Sequence, residues 1–199
     1  MSGAISIGAH YGEEYEGWLA QGCTNFIFFE PVYSNYCKLL KILPLSSNVV
    51  IHNLAIGNKR GKIEMYVESE HQGKSCSILE PYLHLEQYPD IVFDKKQLVK
   101  IDKLDNIDYD RLLFDHLHID TQGYEMEVLR GAEESLRTIE TIQIEVYRKE
   151  LYKGCAMYEE VWEHLVARGF RQTDIVWRGN TWGDAFFRRI YNAHFNLPL

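Results

Sequence analysis

The stretch NFIFFEP, residues 25 to 31, runs four apolar residues, Phe26 to Phe29, straight into an acid and a proline. A strand with no polar alternation has no face to turn to water. It must be covered on both sides, which is the situation of strands in parallel sheets flanked by helices. The neighbouring segments fit that frame. AISIG (4–8) reads as a first strand, and EEYEGWLAQG (13–22) as a helix stopped by Gly22. YSNYCKLLKIL reads as a second helix limited by Pro44, and NVVIHNLAIG (48–57) as a third strand.

The rhythm then changes. GKIEMYVES and QLVKIDKL look like two β segments bracketing a polar stretch, so residues 58–102 read as an insertion over the sheet edge. LHID supplies a fourth strand and YEMEVLRGAEESLR its helix, with Met126, Leu129, Ala132 and Leu136 at helical spacing. TIQIEVY (141–147) is a fifth strand and MYEEVWEHLVARGF a helix ending at Gly169. QTDIVW and DAFFRRIY close the chain as an antiparallel edge pair. The expectation is one α/β domain over 1–199, a Rossmann-like doubly wound sheet, mostly parallel, with a β insertion after the third strand.

Charge and cysteine content narrow the function. A net charge of -8 disfavours a broad contact with a phosphate backbone, so nucleic acid is not expected as a partner. Cys23, Cys37, Cys76 and Cys155 are scattered without a C-x-x-C pair, as free thiols of a reducing compartment would be. No apolar run approaches the roughly 18 residues of a membrane span, and MSGAISIGAH does not read as a signal peptide. The expected location is the cytoplasm.

Ligands of such sheets bind beyond the carboxyl ends of the strands. The first of those ends, Gly8-Ala9-His10-Tyr11-Gly12, carries two glycines that let a backbone approach a ligand. Glu30, followed by Pro31, ends the second strand, where an acid can accept both hydroxyls of a ribose. The two together point to a cofactor containing adenosine. His10 stands where a dinucleotide fingerprint needs its middle glycine, so the spacing favours S-adenosylmethionine, which has no phosphate, over NAD.

ISIGAHYGEEY, FIFFEP, NLAIGNKRGKIEMYV, SCSIL, LHIDTQGYEMEVLRGAEESL, IQIEV and WGDAFF follow one another in an order that resembles the FkbM-type methyltransferases. IDTQGYEMEVLRGA is the most specific of these segments. The resemblance implies a Rossmann-like fold and transfer of a methyl group from S-adenosylmethionine to a hydroxyl, most often on a sugar, glycan or polyketide-like acceptor. It implies that Gly8, Ala9, His10 and Gly12 surround the methionine part and Glu30 the ribose, with Asn53, Ala55 and Ile56 near the adenine. It implies that Asp120, Gln122 and Tyr124 face the transferred methyl. The position two before Gly8, acidic in the family, is Ser6 here.

The carboxylates after LHI raise the question of a base or a metal. Asp120, Glu125 and Glu145 end or follow adjacent strands, and such oxygen-rich clusters suit Mg²⁺ or Mn²⁺, with Asp120 and Glu145 as ligands. Glu125 reads equally as a first-turn acid favoured by the helix dipole. His118 alternates with Asp120 and shares its face, as a catalytic partner or as a core histidine. Ser75 and Ser77 of the insertion are candidate donors to the acceptor. Trp177 and Trp182 could stack on a sugar face, with edge-strand core preferred. Two alternatives keep the same fold, an NAD-dependent oxidoreductase and a cofactor-binding module without catalysis. A homodimer would cover an open cofactor site.

Overall fold

A computed structural model describes residues 1–44 and 46–191 of the chain. Its main sheet contains β1 (Gly3–Ile7), β2 (Asn25–Phe29), β3 (Val49–His52), β7 (His116–Ile119), β8 (Thr141–Tyr147), β9 (Phe170–Arg178) and β10 (Trp182–Arg189). The order across it is β3-β2-β1-β7-β8-β10-β9, parallel except for the last two, which run antiparallel to their neighbours. From β1 the chain first winds outward through β2 and β3, then returns to lay β7 and β8 on the other side. The switch point is therefore the crevice between β1 and β7, where ligands of such sheets sit.

The apolar run that opened the sequence is covered on both faces, as its composition requires. Ile27 and Phe29 pack with Ile5, Ile7, Ile119 and Leu129 on one side. Phe26 and Phe28 pack with Ala4, Trp18 and Leu39 on the other. The helices are shorter than the sequence pattern suggests. The first, expected over 13–22, is α1 (Tyr15–Ala20), and α2 (Tyr33–Ile42) follows β2.

Two expected elements are divided. The strand expected over 48–57 is β3 in the main sheet, then β4 (Ala55–Ile56) in a separate three-stranded sheet of order β4-β6-β5, with β5 at Gly61–Val67 and β6 at Lys95–Asp102. Between them Asn53 turns its side-chain amide onto the carbonyls of Glu30 (2.9 Å) and Pro31 (3.0 Å), which ends the pairing with β2. β4 pairs with the far end of the insertion, Ala55 opposite Ile101 and Ile56 opposite Asp102. The helix expected over 124–137 is α4 (Glu125–Arg130), stopped at Gly131, followed by a 3₁₀ turn at Ser135–Arg137. A Cβ on Gly131 would lie 1.9 Å from the carbonyl oxygen of Gly57, so the two backbones approach closely there and only glycine fits at the end of this helix. Inside the insertion, α3 (Leu83–Gln87) forms within the polar stretch between the two β segments, to which the sequence reading gave no element. α5 (Tyr158–Val166) then covers β8 and β9. No helix among the described residues is long and apolar enough to cross a membrane.

Candidate active site

The switch-point crevice is floored by the turn after β1. Gly8 has φ +80°, and a Cβ there would meet the Asp120 carbonyl oxygen at 1.7 Å, so only glycine lets the ends of β1 and β7 close up. The amides of Gly8 and Ala9 both donate to the Phe29 carbonyl at 3.0 Å, locking the turn to the end of β2. His10 is forced to φ 45°. Its amide donates to one carboxylate oxygen of Glu30 (2.9 Å), while Val32 donates its amide to the other (2.7 Å). Glu30 is only 4% exposed. Burial pushes its carboxyl up to about 7, and the amides of Val32 and His10 hold it down against that. Each oxygen keeps a lone pair for a further donor.

Beyond the ends of β7 and β8 lies a second set of acids. Gln122, in a left-handed turn at φ 55°, donates its amide to Asp120 (2.7 Å) and to Glu145 (2.9 Å). Its own carbonyl accepts from the Tyr152 hydroxyl at 2.7 Å, and the Tyr147 hydroxyl donates to Glu145. Burial raises both Asp120 and Glu145, and at Glu145 the charges of Asp120 and Glu125 add to it. Among the described residues no lysine or arginine pairs with either acid. Glu125 has a different task. One of its oxygens accepts from the amide of Thr121 (2.9 Å), the amide of Gly123 (3.1 Å) and the Thr121 hydroxyl (3.1 Å), which shapes the turn before α4. Burial lifts it to about 7.

Asp120, Glu125 and Glu145 each offer an oxygen within 4.8 Å of the others, the spacing of a divalent-cation site. The gap between Asp120 and Glu145 already holds the Gln122 amide, however, and an ion there must displace it. His118 turns its Nδ1 to the Ser6 hydroxyl (3.3 Å), and its ring stands 5.8 Å from that of Trp18. Burial lowers it, so it is a neutral, packed histidine beside the acids.

A cavity of about 470 Å³ spans both sets of acids. Of the expected cofactor residues, Gly8, Ala9, His10, Glu30, Pro31, Ala55 and Ile56 line it. So do Asp120, Gln122, Glu145, His118, Tyr124 and Ser75. Tyr11, Gly12, Asn53, Ser77 and Glu125 stand behind its wall. Tyr11 stacks on His10 with ring centroids 3.6 Å apart, and Gly12 packs on Leu39 and Leu43. Ser77 donates its hydroxyl to the Gln122 carbonyl at 2.6 Å, holding the turn rather than a ligand. Sequence reasoning missed Tyr147 and the far wall of His84, Tyr88 and Ile91, and it assigned Trp182 to core although Trp182 also lines the cavity.

The insertion supplies the roof. The Gln72 carbonyl accepts from His10 Nε2 (3.0 Å) and from the Tyr11 hydroxyl (3.1 Å), and Lys74 pairs with Glu13 at 3.6 Å. His10 Nδ1 lies 2.7 Å from Glu13. Both ring nitrogens thus face acceptors, so both must carry a proton for the roof to be held this way. Burial works against that charge, but the hydrogen bonds to Glu13 and then to Gln72 outweigh it and raise His10.

Residues 6–172 match the methyltransferase FkbM domain. Among curated proteins no sequence match is found. The fold is similar to that of the N-methyltransferase NodS from Bradyrhizobium japonicum WM9, at TM-score 0.54 and 11% identity, covering 94% of this chain and 85% of that one. It is also similar to magnesium protoporphyrin IX methyltransferase from Synechocystis PCC 6803 with bound S-adenosylmethionine, at TM-score 0.51 and 8% identity, covering 94% and 69%. A NADB-Rossmann superfamily protein from Streptococcus agalactiae is matched at TM-score 0.49 and 15% identity over 99% of this chain, which spans 64% of that protein's length.

Proposed function

The chain belongs to the FkbM methyltransferase family, and from that premise we propose that it is an S-adenosylmethionine-dependent O-methyltransferase acting on the hydroxyl of a small molecule. The observation that carries this reading is Glu30, buried at the end of β2 beside the Gly8 turn, with both oxygens fixed by backbone amides and a lone pair left on each. That arrangement suits the two hydroxyls of a ribose. His10, in the slot a pyrophosphate would need, is tied to Glu13 and Gln72, and the acids around it oppose a diphosphate. An NAD-dependent reaction is disfavoured on both counts.

Bound S-adenosylmethionine supplies a methyl group made electrophilic by its sulfonium. Asp120 and Glu145 stand where a positive charge is wanted, Asp120 directly after β7, the neighbour of β1, and Glu145 near the carboxyl end of β8 beyond it. Among the described residues no lysine or arginine pairs with them. When an acceptor hydroxyl is set in line, its oxygen bonds to the methyl carbon as the carbon–sulfur bond breaks. The sulfur keeps that electron pair and the product is S-adenosylhomocysteine. The hydroxyl proton passes to the carboxylate of Asp120 or Glu145, whose raised affinity for protons brings it closer to what a general base at neutral pH requires. Alignment contributes as much as the base does. A Mg²⁺ or Mn²⁺ ion fits less well, because Gln122 occupies the space between those carboxylates.

A sugar or glycan hydroxyl, the narrower expectation, would bring several other hydroxyls that need partners, and the far wall of the cavity offers few. The test of the general reading is calorimetric titration with S-adenosylhomocysteine, for the chain and for Glu30→Ala. Saturable one-to-one binding that Glu30→Ala abolishes is the expected result. No binding to the unaltered chain would overturn it.

A further inference from the structure

On the side of Glu145 away from Glu30 the cavity continues into an arm lined by His84, Tyr88, Ile91, Tyr147, Leu151 and Trp182. Its position follows from strand order. The ends of β2, β1 and β7 carry the Glu30 side, and β8 with β10 carries this one. The arm is mostly carbon. Its polar atoms are largely committed, since the Tyr147 hydroxyl gives its proton to Glu145. The Tyr88 hydroxyl accepts from Trp182 Nε1 (3.0 Å) and from the Gln87 amide (2.8 Å), so only its own proton remains to be given.

One polar group is left over. His84, on α3, is 2% exposed, and its Nδ1 is buried without a hydrogen-bond partner. Its ring is wedged against Tyr88 (centroids 4.9 Å apart), Phe93 (5.3 Å) and Tyr152 (5.3 Å). With almost no accessible surface, that nitrogen is closed off among these rings rather than open to the cavity, so it asks for no polar partner on a ligand. Burial pushes His84 down to about 4, so at neutral pH the ring is uncharged and presents one N–H and one lone pair.

Resting on the methyltransferase reading above, we infer that this arm is the acceptor pocket and takes an uncharged, flat, largely apolar alcohol. The acceptor's ring lies against Tyr88 and Trp182, and its reacting hydroxyl reaches Asp120 and Glu145. A monosaccharide in the same place would bury at least two further hydroxyls with nothing to bond to, each costing about 1–3 kcal/mol. An anionic acceptor would meet the unpaired acids directly.

The test uses the full chain saturated with S-adenosylhomocysteine and two probes, 2-naphthol and methyl β-glucoside, titrated while Trp fluorescence and proton NMR report binding. Two variants accompany it. Tyr88→Ala removes one aromatic wall of the arm, and Ile91→Trp fills the arm and guards against a Tyr88 variant that fails to fold. The inference expects 2-naphthol to bind one-to-one and the glucoside not to bind. Both variants should weaken naphthol about tenfold or more, with the affinity for S-adenosylhomocysteine unchanged. Preference for the glucoside, no binding of either probe, or naphthol binding indifferent to both substitutions would overturn it. Failure of S-adenosylhomocysteine itself to bind would instead remove the methyltransferase reading on which the inference rests.

Discussion

Glu30 allows a quantitative test. Its carboxyl is raised from an ordinary 4.5 to about 7, with burial the largest cause. A folded-state value above the unfolded one means that folding takes up a proton between those limits. Stability from this group is therefore full below about 4.5 and is lost as pH climbs through about 7. The whole span corresponds to about 3 kcal/mol, of which about 2.5 kcal/mol falls between pH 5 and pH 8. Glu30→Gln keeps the shape and removes the titration. Urea unfolding of the ligand-free proteins at pH 5 and pH 8 should show the unaltered chain losing about 2.5 kcal/mol more than the variant does. Ribose hydroxyls donate to the ionised form, so the affinity for S-adenosylhomocysteine should run the other way and rise about tenfold from pH 6 to pH 8 in the unaltered chain alone. Parallel unfolding curves for the two proteins would refute the argument that burial governs this acid.

Three further outcomes follow from the same geometry. Gln122→Leu removes two hydrogen bonds to carboxylates and one from Tyr152, so it should cost at least about 3 kcal/mol at pH 8 and progressively less as pH falls and the two raised carboxyls take up protons; calorimetric melting at pH 8 and pH 5 measures this. The roof tie through His10 needs the imidazolium, whose folded-state value is raised, so the tie is intact below the ordinary histidine value near 6.5 and loosens as pH rises past it. Limited proteolysis of the 68–75 segment should accordingly accelerate with pH in the unaltered chain, and should be fast and independent of pH in His10→Gln. Leu129→Ala, at a fully buried site between α4 and the sheet, should destabilise by about 2–5 kcal/mol with unchanged affinity for S-adenosylhomocysteine in the folded protein, as urea unfolding and titration together would show.

The meeting of the Gly8 turn with Glu30 at one end of the cavity was readable because its signals are local. A glycine turn after one strand and an acid closing the next are each visible in a few residues, and parallel pairing brings them together. The parallel sheet and its antiparallel edge pair were readable from the apolar runs for the same reason. The break after Arg130 was not, since Met126, Leu129, Ala132 and Leu136 hold a helical spacing straight across it. The strand over 48–57 concealed a passage between two sheets because apolar residues suit both. The far arm of the cavity was the least legible part. Tyr88 and Ile91 lie in a stretch rich in polar residues and prolines, and Trp182 looks like any edge-strand aromatic until β10 sets it across from Tyr147.

The insertion leaves the main fold and rejoins it at almost the same point. Ala55 and Ile56 pair with Ile101 and Asp102, and the Gly57 amide donates to the Asp102 carbonyl at 3.0 Å. Whatever lies between those ends is a closed excursion, and lengthening or shortening such an excursion adds little closure entropy, about 0.6 kcal/mol for each doubling. The roof and His84, Tyr88 and Ile91 of the arm all belong to it, whereas Glu30, Asp120 and Glu145 do not. The segment therefore behaves as an exchangeable cassette. Grafting a different one between Gly57 and Lys103 would reshape the roof and the arm while Glu30, Asp120 and Glu145 stay as they are.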